Sequence, residues 1–236
     1  MNALSRDTLL GLGKLTREAA TNDSVRAIVI TGAGEKAFCA GADLKERQGM
    51  TENDVRAQVE LYRSELGPLD RSPKPVVAAI NGVAFGGGLE LALVCDLRIM
   101  AGHAQVALPE TTLGIIPGAG GTQRLPRIIG EARAKEMILL GRKLSAEEAL
   151  AWGIVNRICV GKNIVDEAVE WVKPIAEGAP LAQAAALRAI DWSFDCTLDQ
   201  GMELEKVAYD TVLVSEDRRE ALAAFAEKRR PAFQGR

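Results

Sequence analysis

Apolar positions recur at helical spacing through residues 4–20, where Leu4, Leu9, Leu10, Leu12 and Leu15 predict a helix that Ser5 or Asp7 could start. The pattern then changes. Val25-Arg26-Ala27-Ile28-Val29-Ile30-Thr31 is rich in β-branched residues and predicts a strand, ended by Gly32-Ala33-Gly34. Helical spacing returns over 51–69 with Val55, Val59, Leu61 and Leu66, and Pro73 and Pro75 stop it. The run Val76-Val77-Ala78-Ala79-Ile80 predicts a strand buried on both faces, followed by a turn at Asn81-Gly82. A helix is expected over about 87–95 and a strand over 97–101. Beyond residue 127 the pattern is nearly all helical, over 131–140, 145–152, 163–176, 180–193, 198–213 and 216–228. Alternating strands and helices imply an α/β core. The shift to helical composition divides the chain into a core at 1–179 and a C-terminal helical region at 180–236.

Composition narrows the chemistry. The 236 residues suffice for one large domain, and 47% apolar with 26% charged residues is ordinary for a globular protein. Aromatics are only 4%, so packing rests on Ala, Leu, Ile and Val. A net charge of −3 provides no basic face for nucleic acid and no polybasic patch for a membrane. No apolar run reaches membrane-spanning length, and a cytoplasmic location is expected. Cys39, Cys95, Cys159 and Cys196 are widely spaced among apolar neighbours and are expected as reduced core thiols. His103 is the one histidine, so a zinc site built on several histidines is excluded. Without a G-x-S-x-G elbow it reads as a surface or turn residue. Neither Gly13-Lys14 nor Gly161-Lys162 belongs to a P-loop, and G-x-G-x-x-G is absent. No metal and no cofactor are expected.

Three segments remain that could carry chemistry. In Phe85-Gly86-Gly87-Gly88-Leu89-Glu90-Leu91-Ala92-Leu93-Val94-Cys95 the glycines permit close backbone approach, and the helix after them starts with unpaired N–H groups. Such a terminus can stabilise developing negative charge, although a tightly packed strand-to-helix turn would look the same. Glu90 tips the balance, because it is the only polar residue on an otherwise apolar helix and has no Lys or Arg nearby in sequence. A buried, unpaired carboxylate is costly and points to function. Glu110 stands in a long, apolar, glycine-punctuated loop over 107–124; alone it reads equally well as an exposed residue after Pro109. Two carboxylates in different environments could divide acid and base roles. The third segment, Phe38-Cys39-Ala40-Gly41-Ala42-Asp43-Leu44, could supply further backbone donors, with Asp43 capping the helix that follows.

Together these segments resemble the enoyl-CoA hydratase/isomerase (crotonase) family. The resemblance is carried by 37–46, by 74–82, by Gly86-Gly87-Gly88-Leu89-Glu90-Leu91-Ala92, by 116–125 and by the tail Ala224-Phe225-Ala226-Glu227-Lys228-Arg229-Arg230-Pro231, in that order. It implies a spiral of β-β-α turns with a C-terminal helical trimerisation region, assembled as a trimer or a dimer of trimers. It also implies that the N–H groups of Ala42 and Gly87 hold a thioester oxygen and that Glu90 and Glu110 are the catalytic pair. Glu90 would activate a water and Glu110 would protonate Cα, adding water across the 2,3 double bond of an enoyl-CoA. Ala40, Asp43, Leu44, Lys45 and Gly118 fall at substrate-binding positions; Phe225 and Lys228 fall where the family reaches the CoA of a neighbouring subunit. Coenzyme A is then part of the substrate.

Gly41-Ala42-Asp43-Leu44-Lys45-Glu46-Arg47 with Met50 most resembles methylglutaconyl-CoA hydratases, whose substrate carries a distal carboxylate that Lys45 or Arg47 could face. On their own, both cations read as solvated surface residues. Some of those relatives bind RNA through a lysine-rich first helix; with only Arg6, Lys14 and Arg17 over 4–20, no such activity is expected here. Family members normally have a strand hairpin ahead of the Asn-Ala-Leu motif. This sequence opens at Met1-Asn2-Ala3-Leu4, so either a start further upstream or an exposed sheet edge with a weakened CoA site is expected. The rival enzyme reading is an isomerase that uses one glutamate. The rival of another class is a non-catalytic CoA-binding protein.

Overall fold

In the computed structural model, which describes residues 1–236, the first six strands alternate between two sheets as the chain advances. After α1 (Arg6–Thr21) come β1 (Ile28–Thr31), β2 (Ala37–Cys39), α2 (Leu44–Arg47) and α3 (Glu52–Asp70). The next turn is β3 (Val76–Ile80), β4 (Val83–Phe85) and α4 (Gly87–Leu93). Then follow β5 (Leu97–Ala101), β6 (Gln105–Ala107), a 3-10 turn at Glu110–Leu113, α5 (Gly121–Ile129) and α6 (Glu131–Leu139). The chain continues through β7 (Leu144–Ser145), α7 (Ala146–Trp152), β8 (Arg157–Cys159) and α8 (Ile164–Ala176) to α9 (Pro180–Trp192), α10 (Leu198–Leu213) and α11 (Glu216–Glu227).

One sheet has the order β1-β3-β5-β8, all parallel, with Ile28 opposite Val76 and Val77 opposite Leu97. The other has the order β2-β4-β6-β7, parallel until β7 closes it antiparallel. This is the expected β-β-α spiral. All five residues of β3 are buried, as a parallel strand covered on both faces requires. The turns of the spiral are pressed together. A Cβ on Gly88 would overlap the Cys39 carbonyl, and one on Gly82 would collide with the Lys36 carbonyl. Asn81 pins the same junction: its Nδ2 donates to the carbonyls of Gly32 (2.9 Å) and Gly34 (2.6 Å), and its Oδ1 accepts from Gly32 N–H.

Several expected boundaries shift for identifiable reasons. The strand expected over 25–31 pairs only from Ile28, because Lys74 Nζ takes the Val25 carbonyl at 2.7 Å. The helix expected over 87–95 ends at Leu93. The expected loop over 107–124 is only partly loop, since it includes the 3-10 turn and opens α5 at Gly121. Of the four expected core thiols, Cys39 and Cys95 are buried. Cys159 and Cys196 are only half-buried, the first at the end of edge strand β8 and the second in the α9–α10 connection. His103 is exposed in a turn, as expected. No helix is long and apolar enough to cross a membrane.

Candidate active site

Glu90 lies on α4, every residue of which is buried, and only 3% of it is exposed. The partner that nearby sequence lacks comes from the backbone: Glu90 Oε1 accepts from the N–H groups of Ala119 and Gly121, both at 2.8 Å. Gly121 is the first residue of α5, so the carboxylate receives a helix N-terminal donor. Burial pushes the Glu90 carboxyl up. The N–H groups of Gly121, Ala119 and Gly118, and then the Arg124 charge, oppose this, and the carboxyl stays above its ordinary value. Arg124 is itself held by a two-point pair with Asp70 of α3, at 2.6 and 2.8 Å, which ties α5 to the helix layer behind it.

Glu110 is the first residue of the 3-10 turn and is buried, which rules out the exposed alternative. Its Oε2 has no hydrogen-bond partner in the protein. Burial is the main reason its carboxyl is raised to about 7; the Glu90 charge adds to this, and its own backbone N–H and Arg47 oppose it. The Glu90 charge thus reaches the Glu110 carboxyl. Gly86, at φ +54°, makes room for Glu110: a Cβ there would stand 2.9 Å from Glu110 Oε1.

The backbone donors meet beside them. A Cβ on Gly41 would stand 3.4 Å from the Gly87 nitrogen, and one on Gly87 would stand 3.7 Å from the Ala42 nitrogen. The Ala42 N–H has no acceptor in the protein, and the Gly87 N–H opens α4. Leu4 buttresses this junction by donating to the Gly41 carbonyl at 2.8 Å, while its own carbonyl accepts from the Tyr62 hydroxyl at 3.1 Å.

Other expected positions are more scattered. Asp43 caps α2 through Lys45 N–H at 2.9 Å. Ala40, Leu44 and Lys45 are exposed around Ala42, and Gly118 adjoins the Glu90 donors. Phe225 and Lys228 are exposed at the end of α11, and no hydrogen bond joins either to the Glu90 and Glu110 groups. Sequence reasoning missed Gln58, a buried amide on the α3 face shared with Tyr62 and Leu66. Its signal was a polar residue at the head of an i, i+4, i+8 buried stripe. A cavity of about 520 Å³, lined by Cys95, Asp96, Arg124, Ile128 and Asp191 among others, contains neither glutamate.

A family model described as enoyl-CoA hydratase/isomerase matches residues 1–236. YngF of Bacillus subtilis, named for enoyl-CoA hydratase/isomerase activity, is 47% identical over 234 residues, covering 99% of this chain and 90% of that one. Methylglutaconyl-CoA hydratase 1 of Pyricularia oryzae is 42% identical over 234 residues, covering 89% of this chain and 65% of that one. The crystal structure of an enoyl-CoA hydratase from Bacillus anthracis matches with a TM-score of 0.96 at 47% identity, covering 99% and 91% of the two chains.

Proposed function

We infer that this chain, which belongs to the enoyl-CoA hydratase/isomerase family, is a hydratase that adds water syn across the 2,3 double bond of an enoyl-CoA thioester. The observation that carries the reading is the unlike pair of buried carboxyls. Glu90 is held by backbone donors that favour its charge, and Glu110 is raised to about 7 with one oxygen unpaired. An isomerase needs only one of them.

The thioester oxygen accepts from the N–H groups of Ala42 and Gly87, which draws electron density from Cβ and stabilises the enolate-like charge that develops. Water lies between the carboxyls. Ionised Glu90 takes one of its protons as the hydroxide oxygen bonds to Cβ, and neutral Glu110 gives its proton to Cα. A proton then passes from Glu90 back to Glu110 by way of solvent, and the pair is reset. Ala40, Asp43, Leu44, Lys45 and Gly118 frame the acyl-CoA around these donors.

The finer substrate is 3-methylglutaconyl-CoA, an intermediate of leucine breakdown. It is supported by the 41–47 segment with Met50 and by the likeness to the Pyricularia oryzae protein. The assembly is a trimer or a dimer of trimers, supported by large apolar side chains left outward on the C-terminal helices: Ile190, Leu198, Met202, Val207, Tyr209 and Phe225. Phe225 and Lys228 then reach CoA on a neighbouring subunit.

The test is loss of conjugated-thioester absorbance on crotonyl-CoA and 3-methylglutaconyl-CoA, beside Glu90→Gln and Glu110→Gln. Turnover that either substitution abolishes supports the two-carboxylate hydratase. A wild-type chain that only shifts a 3-enoyl-CoA to the 2-enoyl form is an isomerase. One that binds CoA esters without converting either is the binding protein.

A further inference from the structure

Arg47 is half-buried, and its guanidinium has no carboxylate partner anywhere in the chain. Its only side-chain hydrogen bond runs from Nε to Gln58 Oε1, at 3.1 Å, so both terminal nitrogens keep their donors free. Gln58 is 5% exposed, and its Nε2 is buried without an acceptor. A buried amide satisfied at one end is a poor core residue; an apolar side chain would fill the same place at less cost. What Gln58 does provide is a fixed direction for the guanidinium.

The pair stands close to the reaction site. Val59, next to Gln58 on α3, approaches to 3.6 Å of where a Cβ on Gly118 would stand, and Gly118 precedes the Ala119 donor of Glu90. Arg47 lies five residues past Ala42 on the same chain segment, and its charge reaches both Glu110 and the Tyr62 phenol. Lys45, the other cation of this turn, is exposed and has no carboxylate partner or anchor that would aim it.

We propose that Arg47, oriented by Gln58, is the specificity-determining residue for acyl chains that end in a carboxylate. The two free guanidinium nitrogens fit a carboxylate at two points, as an ammonium does not. This rests on the acyl-CoA reading of the site and adds the group that reads the far end of the acyl chain.

The experiment is direct binding of two saturated, unreactive thioesters, glutaryl-CoA and butyryl-CoA, to the wild-type chain and to Arg47→Met, Arg47→Lys and Gln58→Met. The wild-type chain is expected to prefer glutaryl-CoA. Arg47→Met should cut the glutaryl-to-butyryl affinity ratio about 10- to 100-fold, as loss of one charge-assisted pair does. Arg47→Lys should restore part of the ratio, and Gln58→Met should lower it by a smaller factor. A ratio unchanged in Arg47→Met overturns the proposal, whether both affinities hold or both fall together. Because binding is read without turnover, failure of the hydratase reading leaves this result interpretable. Loss of all CoA-ester binding by the wild-type chain would overturn both.

Discussion

Gly86 and Glu110 compete for one volume: the space where a Cβ on residue 86 would stand is 2.9 Å from Glu110 Oε1. The glycine's left-handed φ of +54° belongs to the turn that starts α4, so one position both aims the helix and admits the carboxyl. Gly86→Ala is expected to lower stability by about 1–3 kcal/mol through backbone strain. It should also lower kcat on the order of 100-fold by displacing Glu110. Gly88→Ala meets the Cys39 carbonyl instead, which cannot swing aside. It should cost about 3 kcal/mol or more and leave little folded protein. Thermal melts beside crotonyl-CoA kinetics would separate the two; equal losses of stability would contradict this account.

Glu90→Gln keeps an oxygen for the Ala119 and Gly121 donors but removes the charge, and Glu110→Gln keeps the shape but cannot give up its proton. Each is expected to reduce kcat by about 10²- to 10⁴-fold. The circular dichroism spectrum should not change. A Glu110→Gln enzyme that retained a tenth of wild-type activity would remove Glu110 from the mechanism.

The pH dependence follows from Glu110 being raised from its ordinary 4.5 to about 7. The folded chain holds this proton where the unfolded chain has released it. Stability from this group therefore falls as pH rises from 4.5 to about 7 and is level above that. If Glu110 is the acid for Cα, as proposed, it must be protonated, so kcat/KM should fall above about pH 7. Because Glu90 faces it, the limb belongs to the pair. Denaturant midpoints for wild type and Glu110→Gln should draw apart over that same window, with the variant the more stable at pH 8.

Asp96 offers a control away from the chemistry. Burial raises it to about 6, with Asp191 and Asp70 adding and its hydrogen bond from Val76 N–H and the Arg98 charge opposing. Its contribution likewise falls as pH rises from 3.8 to about 6. Asp96→Asn keeps an acceptor for Val76 and should stabilise the chain by roughly 1–2 kcal/mol at pH 7, after discounting for partial exposure. A lower melting temperature for this variant would show that the charge is needed there.

The chain's own pattern determined a great deal. Strand Leu97–Ala101 and helix Leu198–Leu213 were legible to the residue because each has enough length for its apolar period to show. The burial of Glu90 was equally legible, since a helix apolar all around leaves no wet face. Strands β2, β4, β6 and β8, three residues each, were not, because three positions carry no period. Only the tertiary structure decided what the buried groups meet. The donors of Glu90 come from 29 and 31 positions along the chain, the Ala42 and Gly87 nitrogens converge from separate turns of the spiral, and Glu110 is buried by contacts with other segments. Periodicity reports that a face is covered, and coverage is a local property of composition. Which atoms cover it depends on how closely distant backbones approach, and glycine at 41, 86 and 88 sets that distance only once the turns are stacked.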